Sequence, residues 1–456
     1  MHIKKYIRKT AICLIAIATG IMSLTACDQK ITTFRNDSSK QDQESGTVTS
    51  QYKKEELTTE NITLTVWESA DGPDKWIQQA GEKFTEIYPN IKIEFYEADI
   101  ANSFYMLRTG EYDIPTADLF GAPHDRTAQM VESDIILPVK DYEEVTTNTL
   151  SSAYKHLFYN DVMYGYPTSC ETYALFYNKK FISEDKIPDT WDKMLSFCES
   201  FPQNFPDKYG FLFQCNAIYY TQLFMTRDGN QLMSGTAHTG LMTKSAIQGM
   251  ELMQSFIPYF PENAIKMTLT DYEEAFLQGK AAMLINGPWF IPPADASEVE
   301  YGIAPLPAFG EGEEEALSLS GVRGMFIYKG TKHPDEAAAF AKFLTTKEMQ
   351  ELRLQLTGAL PSANISIDNK STSAFLYQLE HSYALPNSAD MENFWAYSGT
   401  FCEEIWNGAD AGEALAKYDR YIATGSTEGY TPMPSGYSTK TRTADSSTDS
   451  ESTESE

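Results

Sequence analysis

Asp125 and Glu171 are the residues whose types could do chemistry on a bound molecule. Two carboxylates ~5–10 Å apart across a glycosidic bond supply the acid and the base of glycoside hydrolysis. Carboxylates far apart in sequence are common, however, and each has a structural reading: Asp125 with Arg126 as a surface ion pair, Glu171 as the cap of a strand. His124, beside the pair, reads as structural. Metal chemistry has less support. Cys170, Cys198, Cys215 and Cys402 show no CxxC or CxxH spacing and the histidines form no HExxH, so no metal site is expected. The four cysteines read as buried free thiols, with disulfide pairing left open by their spacing. No glycine-rich phosphate loop follows a strand, and no cofactor is expected.

Composition narrows the partners. A formal charge of −28 argues against nucleic acid, whose phosphates need a basic surface, and against a polybasic membrane-surface protein. A length of 456 residues suggests two or three lobes, and 42% apolar residues suffice for a sizeable core. The chain opens on Lys4, Lys5, Arg8 and Lys9, followed by an apolar run from Ala11 to Met22 and then Leu24-Thr25-Ala26-Cys27. That order resembles a lipoprotein signal with its lipobox. It implies cleavage after residue 26 and a lipid anchor on Cys27, which places the remainder on the extracytoplasmic face of a bacterial cytoplasmic membrane. Residues 27–59 are too polar to fold and read as a flexible linker, and residues 426–456 read as a disordered acidic tail.

The carboxylates must be positioned by the body between these ends. Ile62, Leu64 and Val66 alternate with Thr63, Thr65 and Trp67, which predicts a strand. Pro73 opens a helix along which Trp76, Ala80, Phe84 and Ile87 recur, and Ile91, Ile93 and Phe95 alternate again. This β-α-β order favours a parallel sheet covered by helices. Further strands are expected over 118–121, 157–159, 162–166, 173–177 and 282–285. A capping box at Thr270 and Glu273 opens a helix, Thr345 caps another that Gly358 ends, and late helices span 394–406 and 412–424. Trp67, Trp76, Trp191 and Trp406 read as packing residues.

Several motifs then resemble one family. Val66-Trp67-Glu68-Ser69-Ala70-Asp71 is similar to the first strand and ligand loop of ABC-transporter solute-binding proteins, extracellular family 1. Ala122-Pro123-His124-Asp125-Arg126 resembles the His-Asp-Arg loop of the maltose/maltodextrin branch. Tyr166 to Glu171, with Leu175 to Lys179, resembles its first interlobe crossing. Ile285-Asn286-Gly287-Pro288-Trp289 and Phe394-Trp395 match two further motifs, in family order over about residues 60–425. The resemblance implies an α/β, two-lobed periplasmic-binding-protein-like (Venus-flytrap) fold with three interlobe crossings. The lobes would comprise 60–168 with 322–362, and 172–318 with 366–425. It implies a monomer that binds malto-oligosaccharide and delivers it to permease subunits, without catalysis.

The resemblance assigns Asp71, Asp125, Arg126 and Glu171 to the hydroxyl edge of the sugar, and Tyr219, Trp289 and Trp395 to platforms under its rings. These types suit a pyranose. Carboxylates accept hydroxyl hydrogen bonds, guanidinium donates in a planar fork, and aromatic faces cover the C–H surface. Gly72, Ala122, Ala217 and Gly399 depart from the enteric pattern of Lys, Trp, Glu and Arg, with Tyr220, Trp76 or Asn216 as candidate substitutes. Longer malto-oligosaccharides are therefore expected to bind better than maltose. The alternatives are a binding protein for another oligosaccharide and, more remotely, a surface glycosidase.

Overall fold

The computed structural model describes residues 52–70, 72–234, 239–363, 365, 370–388 and 390–431. The signal segment 1–26, Cys27, most of the linker, Asp71 and the acidic tail beyond 431 lie outside the described residues.

Strand β1 (Ile62–Glu68) leads into helix α1 (Pro73–Ile87) and returns as β2 (Ile91–Glu97). The strands pair in parallel from Ile62 opposite Ile91 to Glu68 opposite Glu97. Helix α1 buries Trp76, Ile77, Ala80 and Phe84, the residues whose spacing predicts it. The following strands are β3 (Leu119–Pro123), β4 (Gly165–Glu171) and β5 (Ala174–Asn178). Helix α2 (Leu269–Leu277) then precedes β6 (Met283–Asn286), β7 (Tyr301–Ala304) and β8 (Ser318–Ile327). Helices α3 (Pro334–Leu344) and α4 (Lys347–Thr357) are followed by β9 (Ser382–Ala384), α5 (Met391–Trp406) and α6 (Ala411–Thr424).

Two sheets result. The first runs β9-β8-β3-β1-β2, with β4 also on β8, and the second is β6-β5-β7. They form the cores of two α/β lobes. Three segments meet between them. Strand β8 starts parallel to β9 and continues antiparallel to β3 and β4, so one long strand ties the ends of the first sheet together. Gly321 lies opposite Glu171 at the end of β4, and Cys170 N–H donates to Leu360 O at 2.8 Å. Cys170, Cys198, Cys215 and Cys402 are buried free thiols, and Trp67, Trp76, Trp191 and Trp406 are buried as packing residues.

Local differences have local causes. The capping box of α2 forms at Thr268 and Asp271, two residues before the predicted pair. Thr268 N–H donates to Asp271 at 2.7 Å. The Thr-x-x-acid pattern occurs twice in overlap, and the earlier copy wins, which leaves Thr270 and Glu273 for other work. Thr346, in extended conformation, replaces Thr345 before α4. The predicted strand over 162–166 is two strands, because Tyr164 N–H turns back to Leu157 O at 3.0 Å.

Residues 52–59, part of the expected linker, lie along the first lobe. Tyr52 packs edge-on against Phe84 and Phe343, with centroids 6.3 and 5.2 Å away. Glu55 pairs with Lys342 at 2.5 Å, and Thr58 N–H donates to Glu336 at 2.9 Å. Composition averaged over the whole linker hides this stretch, whose few anchors find partners on α1 and α3. Tyr52→Ala is expected to cost about 2 kcal/mol in urea unfolding through lost ring packing. An unchanged midpoint would show that the segment is not docked in solution.

Candidate functional site

Strand β3 ends in a single turn, His124–Arg126, whose three residues are buried. His124 fixes the turn. Its Nδ1 accepts from Val322 N–H at 3.1 Å, so Nε2 carries the proton and donates to Leu385 O at 3.0 Å. The structural reading of His124 therefore holds. Asp125 accepts the indole N–H of Trp395, on α5, at 2.6 Å. Arg126 donates to Tyr105 Oη at 3.1 Å and Gln129 Oε1 at 3.3 Å, and its guanidinium lies 5.8 Å from the Trp395 ring centroid. In this form Asp125 and Arg126 hold Trp395 in place.

Trp289 is set by the residues before it. The buried Asn286 accepts Gly287 N–H at 2.8 Å and donates to Glu273 at 2.8 Å. The turn Pro288–Phe290 then folds the indole back over Gly287. A Cβ on Gly287 would sit 2.1 Å from that ring, so glycine is required by the close approach. Tyr219 lies 6.3 Å from Trp289 and 5.1 Å from Tyr173 and Tyr220, centroid to centroid. Its buried hydroxyl has no hydrogen-bond partner among the described residues. Burial first, then the Glu171 charge, pushes the phenol well above its usual range.

Asp125, Arg126, Glu171, Tyr219, Trp289 and Trp395 all line one cavity of about 370 Å³. Asp71, the remaining candidate, lies outside the described residues. A second cavity of about 510 Å³ shares Glu171, Trp289 and Arg323 with the first and adds Thr270, Glu273 and Arg353. Glu171, Trp289 and Arg323 thus stand at the junction of two chambers. Another hollow, around Trp191 and Phe309, holds none of these residues. Of the candidate substitutes, Tyr220 lines the first chamber. Asn216 instead donates to Ile265 O and Met267 O, and Trp76 donates to Met349 O, so both are structural.

Sequence reasoning missed the charges beneath the junction. Glu68 is fully buried, and Arg323 Nη1 donates to it at 3.0 Å. Arg323 Nε lies 3.2 Å from Glu171 Oε1, and Arg353 Nη1 lies 4.0 Å from Glu68 Oε2. Burial would lower the pKa of Arg323, but the Glu68 and Glu171 charges outweigh it and raise it. Burial pulls Arg353 down to about 10 despite Glu68. One signal was available. Glu68 closes the first strand as its one charged residue, and an inward carboxylate needs a cation. Among the described residues, no group of three His, Cys, Asp or Glu could hold a metal ion. The chambers combine exposed ring surface with carboxylate and hydroxyl acceptors, an arrangement that binds a molecule with apolar faces and hydroxyl edges.

The model of the family described as bacterial extracellular solute-binding protein matches residues 68–351. The maltotriose-binding protein of Pyrococcus abyssi (strain GE5 / Orsay) is 26% identical over 365 residues, 76% of this chain and 78% of that one. The galactooligosaccharide-binding protein of Bacillus subtilis (strain 168) is 24% identical over 369 residues, 77% and 86% of the two chains. A crystal structure of a cyclo/maltodextrin-binding protein complexed with maltotetraose superposes with a TM-score of 0.65 at 26% identity. It covers 80% of this chain and 98% of that one.

Two predictions follow from the local geometry. Gly287→Ala is expected to displace the Trp289 ring and make tryptophan fluorescence more accessible to acrylamide. The difference should vanish in a Trp289→Phe background; equal quenching in the Trp289 background would mean the ring does not rest on Gly287. The second concerns His156, whose ring lies 5.0 Å from His124. Burial, aided by the neighbouring His124 and Lys155, lowers its pKa from 6.5 to about 4. The unfolded chain therefore binds this proton first, so the stability it confers is full above pH 6.5 and is lost as pH falls toward 4. His156→Asn should narrow the gap between urea midpoints at pH 7 and pH 5; an unaltered gap would assign that dependence to other groups.

Proposed function

The chain belongs to the bacterial extracellular solute-binding protein family, and we propose that it is the lipid-anchored receptor of a carbohydrate ABC importer, holding malto-oligosaccharide between its lobes. The observation that carries this reading is the pairing of the half-buried Trp289 ring with oxygens left able to meet a ligand. Among the described residues the Glu171 carboxylate is paired with Arg323 alone, at 3.2 Å, and the buried Tyr219 Oη has no hydrogen-bond partner. A pyranose offers what both need, an apolar C–H face for the ring and hydroxyls for the oxygens. Trp395 faces Asp125 from the other lobe, so closure would assemble the remaining wall.

The mechanism is a population shift. Closed forms bring Asp125 to Trp395 at 2.6 Å and Arg108 to Glu392 at 3.7 Å across the cleft. The segments 168–172 and 318–322 would act as the hinge, and sugar bound to both walls would favour closure. Micromolar affinity corresponds to about −8 kcal/mol, within reach of two or three ring stacks plus charge-assisted hydrogen bonds. Cys27 would carry the anchor, permease subunits would be the partners, and the receptor would act as a monomer without cofactor. Binding without turnover fits Asp125, whose carboxylate is engaged by the Trp395 indole. The names of the maltotriose and cyclo/maltodextrin relatives favour α-glucans. The galactooligosaccharide name keeps a second reading, another oligosaccharide in the same cleft.

Isothermal titration of residues 28–456, which leave out the lipidated Cys27, tests both. Maltose, maltotriose, maltotetraose and galacto-oligosaccharides would be compared. One-to-one micromolar binding confined to α-glucans, tighter for longer chains, is expected. Heat only with a galacto-oligosaccharide would replace the substrate. Trp289→Ala should weaken binding at least tenfold, about 1.4 kcal/mol, and unchanged affinity in the folded variant would remove its platform role.

A further inference from the structure

We infer that Arg323 is a positioning residue that presets the Glu171 carboxylate at the junction of the two chambers, an inference that rests on the sugar-binding reading. Glu171 takes no hydrogen bond from the described residues. Its one charged contact among them is Arg323 Nε, at 3.2 Å from Oε1. That contact lies within ion-pair distance but is not aligned as a hydrogen bond. It therefore attracts and orients the carboxylate while leaving its lone pairs available for a ligand.

Arg323 can do this because it is itself held rigidly. Its Nη1 donates to Glu68 Oε1 at 3.0 Å and to Ser69 Oγ at 3.2 Å. Glu68 Oε1 also accepts Ser69 N–H at 2.8 Å. Gly121 walls in the carboxylate from the far side, where a Cβ would lie 2.6 Å from Oε2. Below Glu68 comes Arg353, whose guanidinium lies 4.3 Å from the Trp76 ring centroid. The support thus runs from the core to the cleft without an exposed member. The pairing of β8 with β4 shifts register between Arg323 and Gly324. Such an irregularity re-aims a side chain, and here Arg323 borders both chambers.

The charges require this arrangement. Glu68 and Glu171 carry two negative charges near the cleft floor, and Arg323 touches both. Removing Arg323 would leave Glu171 without its counter-charge and free to rotate. A ligand would then have to order it, which weakens binding. The support also belongs to the first lobe and the crossing strand, so Glu171 is set before closure.

A double-mutant cycle tests the coupling. Wild type, Arg323→Gln, Glu171→Gln and the double variant would be titrated with maltotriose, maltotetraose and galacto-oligosaccharides, with urea midpoints measured without sugar. Each single variant is expected to bind at least tenfold more weakly. The double should bind about as weakly as the weaker single, because Arg323 acts through Glu171. Arg323→Lys keeps the charge without the planar fork, guards against loss of folding, and should restore part of the affinity. Losses that multiply in the double, or unchanged affinity in Arg323→Gln together with a lowered urea midpoint, would overturn the inference and leave Arg323 a structural residue. Wild-type silence with every sugar would overturn the carbohydrate reading and this inference with it; wild-type binding with multiplying losses would overturn this inference alone.

Discussion

Charges buried at the floor of a cleft persist only when they neutralise one another, and here the Arg323 guanidinium between Glu68 and Glu171 meets that condition. A buried carboxylate without a cation would be expelled or protonated, because burial removes its hydration. Glu68 closes the strand that opens the fold, so its partner had to come from a neighbour in space. Strand β8 supplies it, and the same strand pairs with both β3 and β4. The cation that stabilises the core therefore stands where both chambers open. Much of the architecture around the cleft follows from this: the glycine at 121, the register shift after Arg323, and the stacking of Arg353 on Trp76.

The opposite wall is built from aromatic rings and obeys a different constraint. A tryptophan offered to a ligand loses contacts unless its other face is covered. Trp289 rests on the backbone of Gly287, while Trp395 is pinned by Asp125 and flanked by Arg126. Trp289 is held by its own chain segment, which lowers the cost of ordering it. The two walls divide the work. Trp289 presents ring surface and Glu171 a carboxylate, both at the junction of the two chambers.

The sequence made part of this legible. The alternation at Ile62, Leu64 and Val66 and the recurrence of Trp76, Ala80 and Phe84 are local patterns, and they appear as the parallel β-α-β unit. The Asn-Gly-Pro-Trp run was conspicuous, although the need for Gly287 emerged only when the indole was seen lying on it. Asp125, Glu171, Tyr219, Trp289 and Trp395 come from distant segments, and only the family pattern connected them in advance. Arg323 and Arg353 stayed hidden because they are ordinary arginines in sequence, and nothing near either one names Glu68. The docking of Tyr52 and Glu55 was hidden for a similar reason: Phe343 and Lys342, which meet them, lie on a helix nearly three hundred residues later. The overlapping caps at Thr268 and Thr270 differ by geometry that propensity does not rank.

The central claim is that a preset carboxylate and a preset ring meet a sugar from two sides. A crystal structure of the protein with maltotetraose tests it most directly. The account predicts a pyranose ring stacked on Trp289, a sugar hydroxyl within hydrogen-bond distance of Glu171, and an Arg323–Glu171 contact retained near 3.2 Å. Sugar bound away from Trp289, or Glu171 turned from both the ligand and Arg323, would contradict it.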